Sequence, residues 1–299
     1  MFKLYVFTMV NFTLSFKRAA ILLAAVCSLF FVEAQNITVT GALTGNGSYA
    51  TLGAAVTAVG TSQAGANIVM SVVGNTTETG TVTIGAGTWA SLRIQPSGGA
   101  ARTISGTVAA ALINLSGADN VTIDGLNTGS NSLTISNLST SNSSGTSTIT
   151  FIGDATNNSI TNCSILGSAT VGITGNGGNI FFSTGSSTGN DNNTVSNCNI
   201  GPAGSNLPTK CIYGNGSGSA TTSNNNVTIT NNNIYDFFSA SIASAGLYLN
   251  GGCNVWTISN NRFYQSATRT WASTALLNSP VYISGTGTGG SQGHTVRAT

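Results

Sequence analysis

Charged side chains are scarce in this chain of 299 residues. Asp, Glu, Lys and Arg make up 5% of the sequence, against about a quarter in an average soluble domain. Without residues 1–34, which hold three of the nine basic and one of the seven acidic side chains, six of each sign remain and the formal charge is zero. Nucleic acid and anionic membranes require a basic face, so neither is an expected partner. Low charge combined with 40% hydrophobic residues also argues against a disordered chain.

Histidine and closely spaced carboxylates are lacking as well. His294 is the only histidine, which excludes a metal site with several His ligands and a local Ser-His-Asp triad. The chain contains no Asp-Asp pair and no pair of Asp separated by one residue. Glycoside hydrolysis needs two carboxyl groups that flank one bond, so the sequence gives no direct sign of that chemistry.

A short phrase recurs four times between Asn158 and Phe263. Each copy alternates β-branched and hydroxyl residues and then reaches an Asn, at Asn162, Asn197, Asn231 and Asn260. We call these four residues the marker asparagines. The intervals from 162 to 197, 197 to 231 and 231 to 260 are 35, 34 and 29 residues. Repeats of this size indicate stacked units, none of which can bury its apolar face alone.

A second phrase follows each copy of the first, at Asn179–Phe182, Cys211–Gly214, Gly246–Leu249 and Pro280–Ile283. Short β-branched runs between Asn, Ser and Gly clusters are typical of strands. Two or three strands per repeat, with polar corners, predict the coils of an all-β parallel solenoid. Coils stacked about 4.8 Å apart would align equivalent residues. One interior column is then expected to contain Ile160, Val195, Ile229 and Ile258.

The marker asparagines add a likeness to a known family. Stacked amides can bond to each other and to the backbone of the bend, and Gly125 takes the same position in an earlier coil. This pattern resembles the asparagine ladder of the pectate-lyase-like superfamily, from about Ile37 to the end of the chain. The resemblance implies a single-stranded right-handed parallel β-helix. That superfamily contains lyases, glycosidases, adhesins and inert scaffolds, so the resemblance does not fix an activity.

The N-terminal residues predict export. Lys17 and Arg18 precede an apolar run, Ala19–Val32, and small residues before Gln35 favour cleavage after Ala34. Residues 1–34 are therefore interpreted as a signal peptide, since the run is shorter than the roughly 20 residues of a spanning helix. We expect a secreted or cell-surface protein with no membrane span in its mature part. The low-charge repeats also resemble large secreted surface proteins of Bacteroidetes-type bacteria.

One helix is expected, from Ser48 to Val59. Leu52, Ala55, Val56 and Val59 have helical spacing, and Ser48 can provide the N-cap. We predict that residues 35–115 form an N-terminal cap with the first coils, with the helix as a lid, and that residues 116–299 form further coils. Residues 293–297 resemble the start of another coil, so the chain is expected to continue beyond Thr299 as part of a longer protein.

Two sets of charged residues are candidates for a metal site and for catalysis. Calcium-dependent lyases of the resembled family hold the metal with carboxylates and use Arg or Lys as the base. Asp119, Asp124 and Asp154 are the candidate calcium ligands, and Asp124 with Arg262 is the candidate catalytic pair. The alternative is that the Asp residues bond to turn backbone and that Arg262 is a solvated corner residue. No other cofactor is expected.

Aromatic residues recur in the second phrase, at Phe151, Phe182, Tyr213, Tyr248 and Tyr282. If they point outward, they form a flat strip suited to binding sugar rings. If they point inward, they form an interior stack. Cys163 and Cys198 also occupy equivalent positions, and we favour stacked thiols over a disulfide because parallel in-register neighbours suit disulfide geometry poorly.

The favoured function is a non-catalytic adhesive or scaffold role, with a polysaccharide or cell-surface glycan as the ligand. The alternative is a polysaccharide lyase or glycoside hydrolase that acts on acidic polysaccharide. Whether the chain is an enzyme stays open at this point. A third hypothesis is ice binding by rows of Thr, which predicts thermal hysteresis.

Overall fold

The computed structural model describes residues 34–273, 276–284 and 292–297. The predicted signal peptide lies outside these residues, apart from Ala34. Gln35–Thr299 forms one compact unit. No helix of the described residues has the length and apolarity needed to cross a membrane.

The described residues form one helix and 26 strands. The helix, α1, spans Leu52–Val59. The strands are β1 Ile37–Thr40, β2 Gly47–Tyr49, β3 Asn67–Val72, β4 Thr76–Glu78, β5 Val82–Gly85, β6 Ser91–Pro96, β7 Ala101–Gly106, β8 Ala111–Ser116, β9 Val121–Asp124, β10 Ser132–Asn137, β11 Ser147–Ile152, β12 Ser159–Thr161, β13 Cys163–Gly167, β14 Gly178–Phe182, β15 Thr194–Ser196, β16 Asn199–Pro202, β17 Lys210–Gly214, β18 Asn224–Asn225, β19 Thr228–Thr230, β20 Asn233–Tyr235, β21 Ser244–Leu249, β22 Cys253–Asn254, β23 Thr257–Ser259, β24 Arg262–Tyr264, β25 Asn278–Ile283 and β26 Thr295–Arg297.

Three sheets form the sides of a right-handed parallel β-solenoid of about 7 turns. Sheet A has ten strands in the order β2-β1-β3-β6-β9-β12-β15-β19-β23-β26. Sheet B has seven, β4-β7-β10-β13-β16-β20-β24, and sheet C has seven, β5-β8-β11-β14-β17-β21-β25. Strand β1 is antiparallel to both β2 and β3, whereas the later strand pairs of the three sheets are parallel. The predicted all-β solenoid is confirmed.

The interior column predicted on sheet A is also confirmed. Ile160 pairs with Val195, Val195 with Ile229 and Ile229 with Ile258. All four side chains are at most 2% exposed. Burying each such side chain stabilises the fold by about 1.5–3 kcal/mol, and the period-2 alternation of the strands sends their hydroxyl neighbours outward.

Helix α1 covers the N-terminal end of the solenoid, but it starts later than predicted. Thr51, not Ser48, is the N-cap, because Ser48 belongs to β2 and pairs with Thr38 of β1. Glu78 of the first coil accepts hydrogen bonds from the backbone N–H groups of Leu52 and Gly53, at 2.9 and 3.0 Å. A carboxylate at this end of a helix satisfies free N–H groups and complements the helix dipole.

The marker asparagines stack in register through their backbone. The N–H of Asn162, for example, donates to the carbonyl of Ser196 in the next coil at 3.2 Å, and Asn197 donates to Thr230 in the same way. All four have φ between 55° and 57°, which Asn tolerates better than most residues. Their side chains lie on the outside of a one-residue corner, half-buried or exposed. The prediction that the side chains of these four residues form the interior amide ladder is therefore wrong.

The buried amide ladders lie at neighbouring positions instead. Asn158 donates its backbone N–H to Asn193 Oδ1 at 2.9 Å, and the side-chain Nδ2 of Asn193 donates to the carbonyl of Ala155 at 2.8 Å. Across the corner, the N–H of Asn232 donates to Asn261 Oδ1 at 3.0 Å. These residues point inward, where backbone groups at the corner have no water to bond, so the amides stabilise the coils from inside.

Strand β26 pairs in parallel with β23, so residues 295–297 open a further turn on sheet A, as predicted. The continuation of the chain beyond Thr299 stays a prediction.

Candidate functional site

The five predicted aromatic residues divide between two faces of sheet C. Phe151 pairs with Phe182 inside the solenoid, with ring centroids 4.4 Å apart and planes 2° apart. Tyr213, Tyr248 and Tyr282 are instead in register with Phe181, on the outer face. The predicted single file thus joined residues from opposite faces, because adjacent residues of a strand point in opposite directions.

We call Phe181, Tyr213, Tyr248 and Tyr282 the outer aromatic file. Successive ring centroids lie 5.5, 5.2 and 4.8 Å apart. Phe181, Tyr213 and Tyr248 are at most 4% exposed, although they lie on the outer face. The rings pack on one another under covering residues, so the file does not present the open strip expected for sugar binding.

Lys210 is part of that cover, and sequence reasoning missed it. Cys211 and Ile212 of β17 both belong to the core, whereas Lys210 and Tyr213, on either side of them, lie on the outer face. The Lys210 Nζ donates to the carbonyls of Gly172, Ile173 and Gly175, at 2.8, 3.2 and 2.5 Å. It also lies 4.1 Å from the centroid of the Tyr213 ring.

The side chain of Lys210 is fully buried, and burial lowers its pKa to about 7. Three carbonyl oxygens match the three N–H donors of an ammonium group. Lys210 therefore ties residues 172–175 over the outer aromatic file. A lone Lys between a Thr and a Cys gave no periodic signal in the sequence, since its partners lie 35 or more residues earlier.

A groove of about 290 Å³ opens on the outer face of sheet C beside Phe181. Its lining is uncharged and rich in hydroxyl and amide groups, and it includes Asn114, Ser144, Thr150, Asn176, Phe181 and Ser183. The Oδ1 atom of Asn114 is buried and has no hydrogen-bond partner, while Asn176 Oδ1 accepts from Asn215 at 2.9 Å. A concave surface with an unpaired acceptor is the candidate binding site of the described residues.

The three candidate calcium ligands are not brought together. Asp119 accepts from the backbone N–H and hydroxyl of Thr156, at 2.8 and 2.7 Å. Asp124 pairs with Arg93 at 2.5 Å and accepts from Asn162 at 2.9 Å. The described part of the chain contains no group of three His, Cys, Asp or Glu side chains that could hold a metal ion.

Asp154 serves a different turn. Its carboxylate accepts from the backbone N–H groups of residues 186–189 at 2.9–3.0 Å, and from the hydroxyl of Ser186 at 2.6 Å. Burial alone would raise the pKa of Asp154, but the hydrogen bonds from Ser186 to Gly189 outweigh burial and hold the pKa well below its usual value. The carboxylate organises the loop that follows sheet C.

The pH dependence of stability tests this role of Asp154. Because its pKa is lower in the folded chain, the stabilisation is present above pH 3.8 and is lost as the pH falls below that value. We expect Asp154→Asn to flatten the loss of stability in acid, measured by urea unfolding between pH 5 and pH 2. The matched control is Asp191→Asn.

Burial raises the pKa of Asp191 in the folded chain, so Asp191 contributes stability that grows as the pH falls through that raised value. Its replacement by Asn should steepen the loss in acid. An acid profile that Asp154→Asn leaves unchanged would show that Asp154 does not organise the loop.

Asp124 and Arg262 do not form a catalytic pair. Asp124 ends β9 on sheet A. Arg262 begins β24 on sheet B, in the fourth coil after the coil that contains β9. Four steps of about 4.8 Å separate those coils along the solenoid. Arg262 is exposed and its guanidinium lies 4.7 Å from the centroid of the Tyr264 ring.

The stacked thiols are confirmed. Cys163 and Cys198 are buried and not bridged. Their Sγ atoms lie near the carbonyls of Ile123 and Ile160, at 3.8 and 3.7 Å. Burial raises the pKa of both thiols, that of Cys198 to about 12, so neither thiol is a nucleophile near neutral pH.

Comparisons of this chain with protein-family models, curated proteins and solved structures found no match. The fold is therefore known from the structure alone, and a fold does not by itself fix a function.

Proposed function

We propose that this protein is a secreted or cell-surface β-solenoid with a non-catalytic adhesive or scaffold role, and that it binds a glycan in the groove beside Phe181. The observation that carries the proposal is that the carboxylates of this chain bond to the chain itself. Each of the six in the described residues accepts hydrogen bonds from the chain's own backbone or side chains, at Glu78, Asp119, Asp124, Asp154, Asp191 and Asp236.

Such carboxylates suit a scaffold better than an enzyme. A glycosidase needs an acid and a base or nucleophile that face one bond, about 5–10 Å apart. A calcium-dependent lyase needs several carboxylate oxygens around one cation. Here each carboxylate fixes a separate turn or helix end, and two are paired with Arg93 and Arg269.

The groove supports a neutral, hydroxyl-rich ligand. Its lining offers amide and hydroxyl groups from Asn114, Thr150, Asn176 and Ser183, and no charged side chain. Asn114 Oδ1 lacks a partner, and a buried unpaired acceptor costs about 1–3 kcal/mol. A rotation of the Asn114 side chain that brings this atom to the surface of the groove would let a sugar hydroxyl donate to it and would remove that cost. Export, which brings such a protein to a glycan, is supported by the features of residues 1–34.

A glycan array with the purified protein tests the binding part of the proposal. We expect retention of neutral glycans, and weaker retention for Asn114→Leu because the acceptor is lost. Asn199→Leu is the matched control, since Asn199 lies exposed on the outer face of sheet B. Equal binding by all three proteins, or none by the unaltered protein, contradicts the groove as a glycan site.

The enzymatic alternative has its own assay. Polygalacturonate with calcium is incubated with the protein, and ultraviolet absorbance reports unsaturated products. We expect no such product, because Asp124 is paired with Arg93 and lies far from Arg262. Product formation that is lost in both Asp124→Ala and Arg262→Ala would replace the scaffold role by a lyase.

A further inference from the structure

The outer face of sheet A carries two parallel files of hydroxyl groups. The first file is Thr122, Ser159, Thr194, Thr228, Thr257 and Thr295, each paired in register with the next. The second file lies two residues further along each strand, at Thr161, Ser196, Thr230 and Ser259. We call these two files the hydroxyl face.

The hydroxyl face is unusually regular for a protein surface. Strands β12, β15, β19 and β23 have three residues each. Every one of them runs between two left-handed corners, with φ of 56–57° on the entering side and 55–57° on the leaving side. The entering corners are Asn157, Asn192, Asn226 and Val255, and the leaving corners are the marker asparagines. Four successive coils therefore cross the face with the same backbone.

The side chains of the face are also held in place. Ser196 donates to Thr161 across the coils at 3.1 Å, and the hydroxyls of Thr230 and Ser259 lie 3.0 Å apart. Thr has few χ1 rotamers, and the inward neighbours of each strand are fully packed residues such as Ile229. The hydroxyls are thus repeated with a spacing of about 4.8 Å between coils and about 6.6 Å along each strand.

We propose that the hydroxyl face binds ice. The two spacings are close to the repeat distances between oxygen rows on the faces of hexagonal ice, so water bonded to successive hydroxyls would be held in a lattice-like array. The face is uncharged between Asp124 at one end and Arg297 at the other, which matches an uncharged crystal. Neither file contains an aromatic ring, so a crystalline polysaccharide, which binds through ring stacking, fits the face less well.

Ice shaping by the purified protein tests the proposal. A single ice crystal is held in the protein solution while the temperature is lowered slowly, and its facets and the gap between melting and growth are recorded. We expect faceted growth and a gap that widens with protein concentration. Thr228→Tyr, in the middle of the face, should lose most of that gap because a bulky ring disrupts both spacings.

The matched control is Thr134→Tyr. Thr134 is half-buried on the outer face of sheet B and pairs with Thr103 and Ser164, so the same change is made away from the hydroxyl face. Circular dichroism verifies folding, and Thr194→Tyr replaces Thr228→Tyr if the latter does not fold. Rounded crystals with no gap for the folded protein, or equal losses in both variants, would overturn the proposal.

The proposal would also be overturned if the protein bound crystalline cellulose, lost that binding in Thr228→Tyr and had no effect on ice growth. The hydroxyl face would then be a polysaccharide-binding surface. The result is independent of glycan binding in the groove, because Asn114 lies on sheet C and its replacement leaves the hydroxyl face intact.

Discussion

Replacement of Asn193 by alanine is expected to lower the free energy of unfolding by about 2–6 kcal/mol, since it leaves two buried backbone groups without partners at about 1–3 kcal/mol each. These groups are the N–H of Asn158 and the carbonyl of Ala155, which the Asn193 side chain bonds at 2.9 and 2.8 Å. Asn193 is fully buried, so water cannot replace the amide without entering the core. Urea unfolding followed by circular dichroism measures the change.

The control lies four residues away. Asn197 is an exposed marker asparagine with φ of 55°, a conformation that glycine adopts without strain. Asn197→Gly is therefore expected to change stability by less than about 1 kcal/mol. If the two variants are equally unstable, or if Asn193→Ala is as stable as the unaltered protein, the inward ladder does not hold the coils together.

Between pH 7 and pH 9, the free energy of unfolding of the unaltered protein is expected to rise by about 2 kcal/mol relative to that of Lys210→Met. A pKa that is lower in the folded chain than in the unfolded chain changes stability by roughly 1.4 kcal/mol per pH unit between the two pKa values. The pKa of Lys210 is lowered from 10.5 to about 7 in the folded chain. Above pH 7 the unfolded chain thus binds a proton that the folded chain has released, and folding becomes more favourable as the pH rises. Below pH 7 Lys210 is protonated in both states and gives no slope.

Urea unfolding of both proteins at several pH values measures this difference. The buried thiols, whose pKa is raised, act in the opposite direction at alkaline pH, but they are present in both proteins and cancel in the comparison. Met retains the length of the side chain without a charge, so packing over Tyr213 is largely kept. A difference that stays constant from pH 7 to pH 9 would mean that the carbonyls of residues 172–175 keep the ammonium charged.

Much of the fold was predictable because it repeats. Ile160, Val195, Ile229 and Ile258 recur at nearly constant intervals, and a recurring β-branched residue can bury itself in only one way when coils stack. Helix α1 was predicted from the spacing of Leu52, Ala55 and Val59. Its N-terminus was not, because the pairing of Ser48 with Thr38 involves a strand ten residues earlier in the chain.

The candidate site was less predictable for the same reason. The register between β14 and β17 pairs Phe181 with Tyr213, while Phe182 packs against Phe151 inside the solenoid. No local pattern shows which of the two adjacent Phe residues faces outward, because that depends on the register of β14 with β11 and β17. Lys210 and Asn114 likewise acquire their roles from residues that lie distant in sequence.

By itself, the sequence determined the stacked coils, the interior aliphatic column and the scarcity of charged residues, because each depends on residue type and interval alone. Only the tertiary structure decided which asparagines point inward, which aromatic rings are covered and where the hydroxyls align in two files. Those features depend on the handedness of single corner residues and on the register between coils, and both are set by packing of the whole stack.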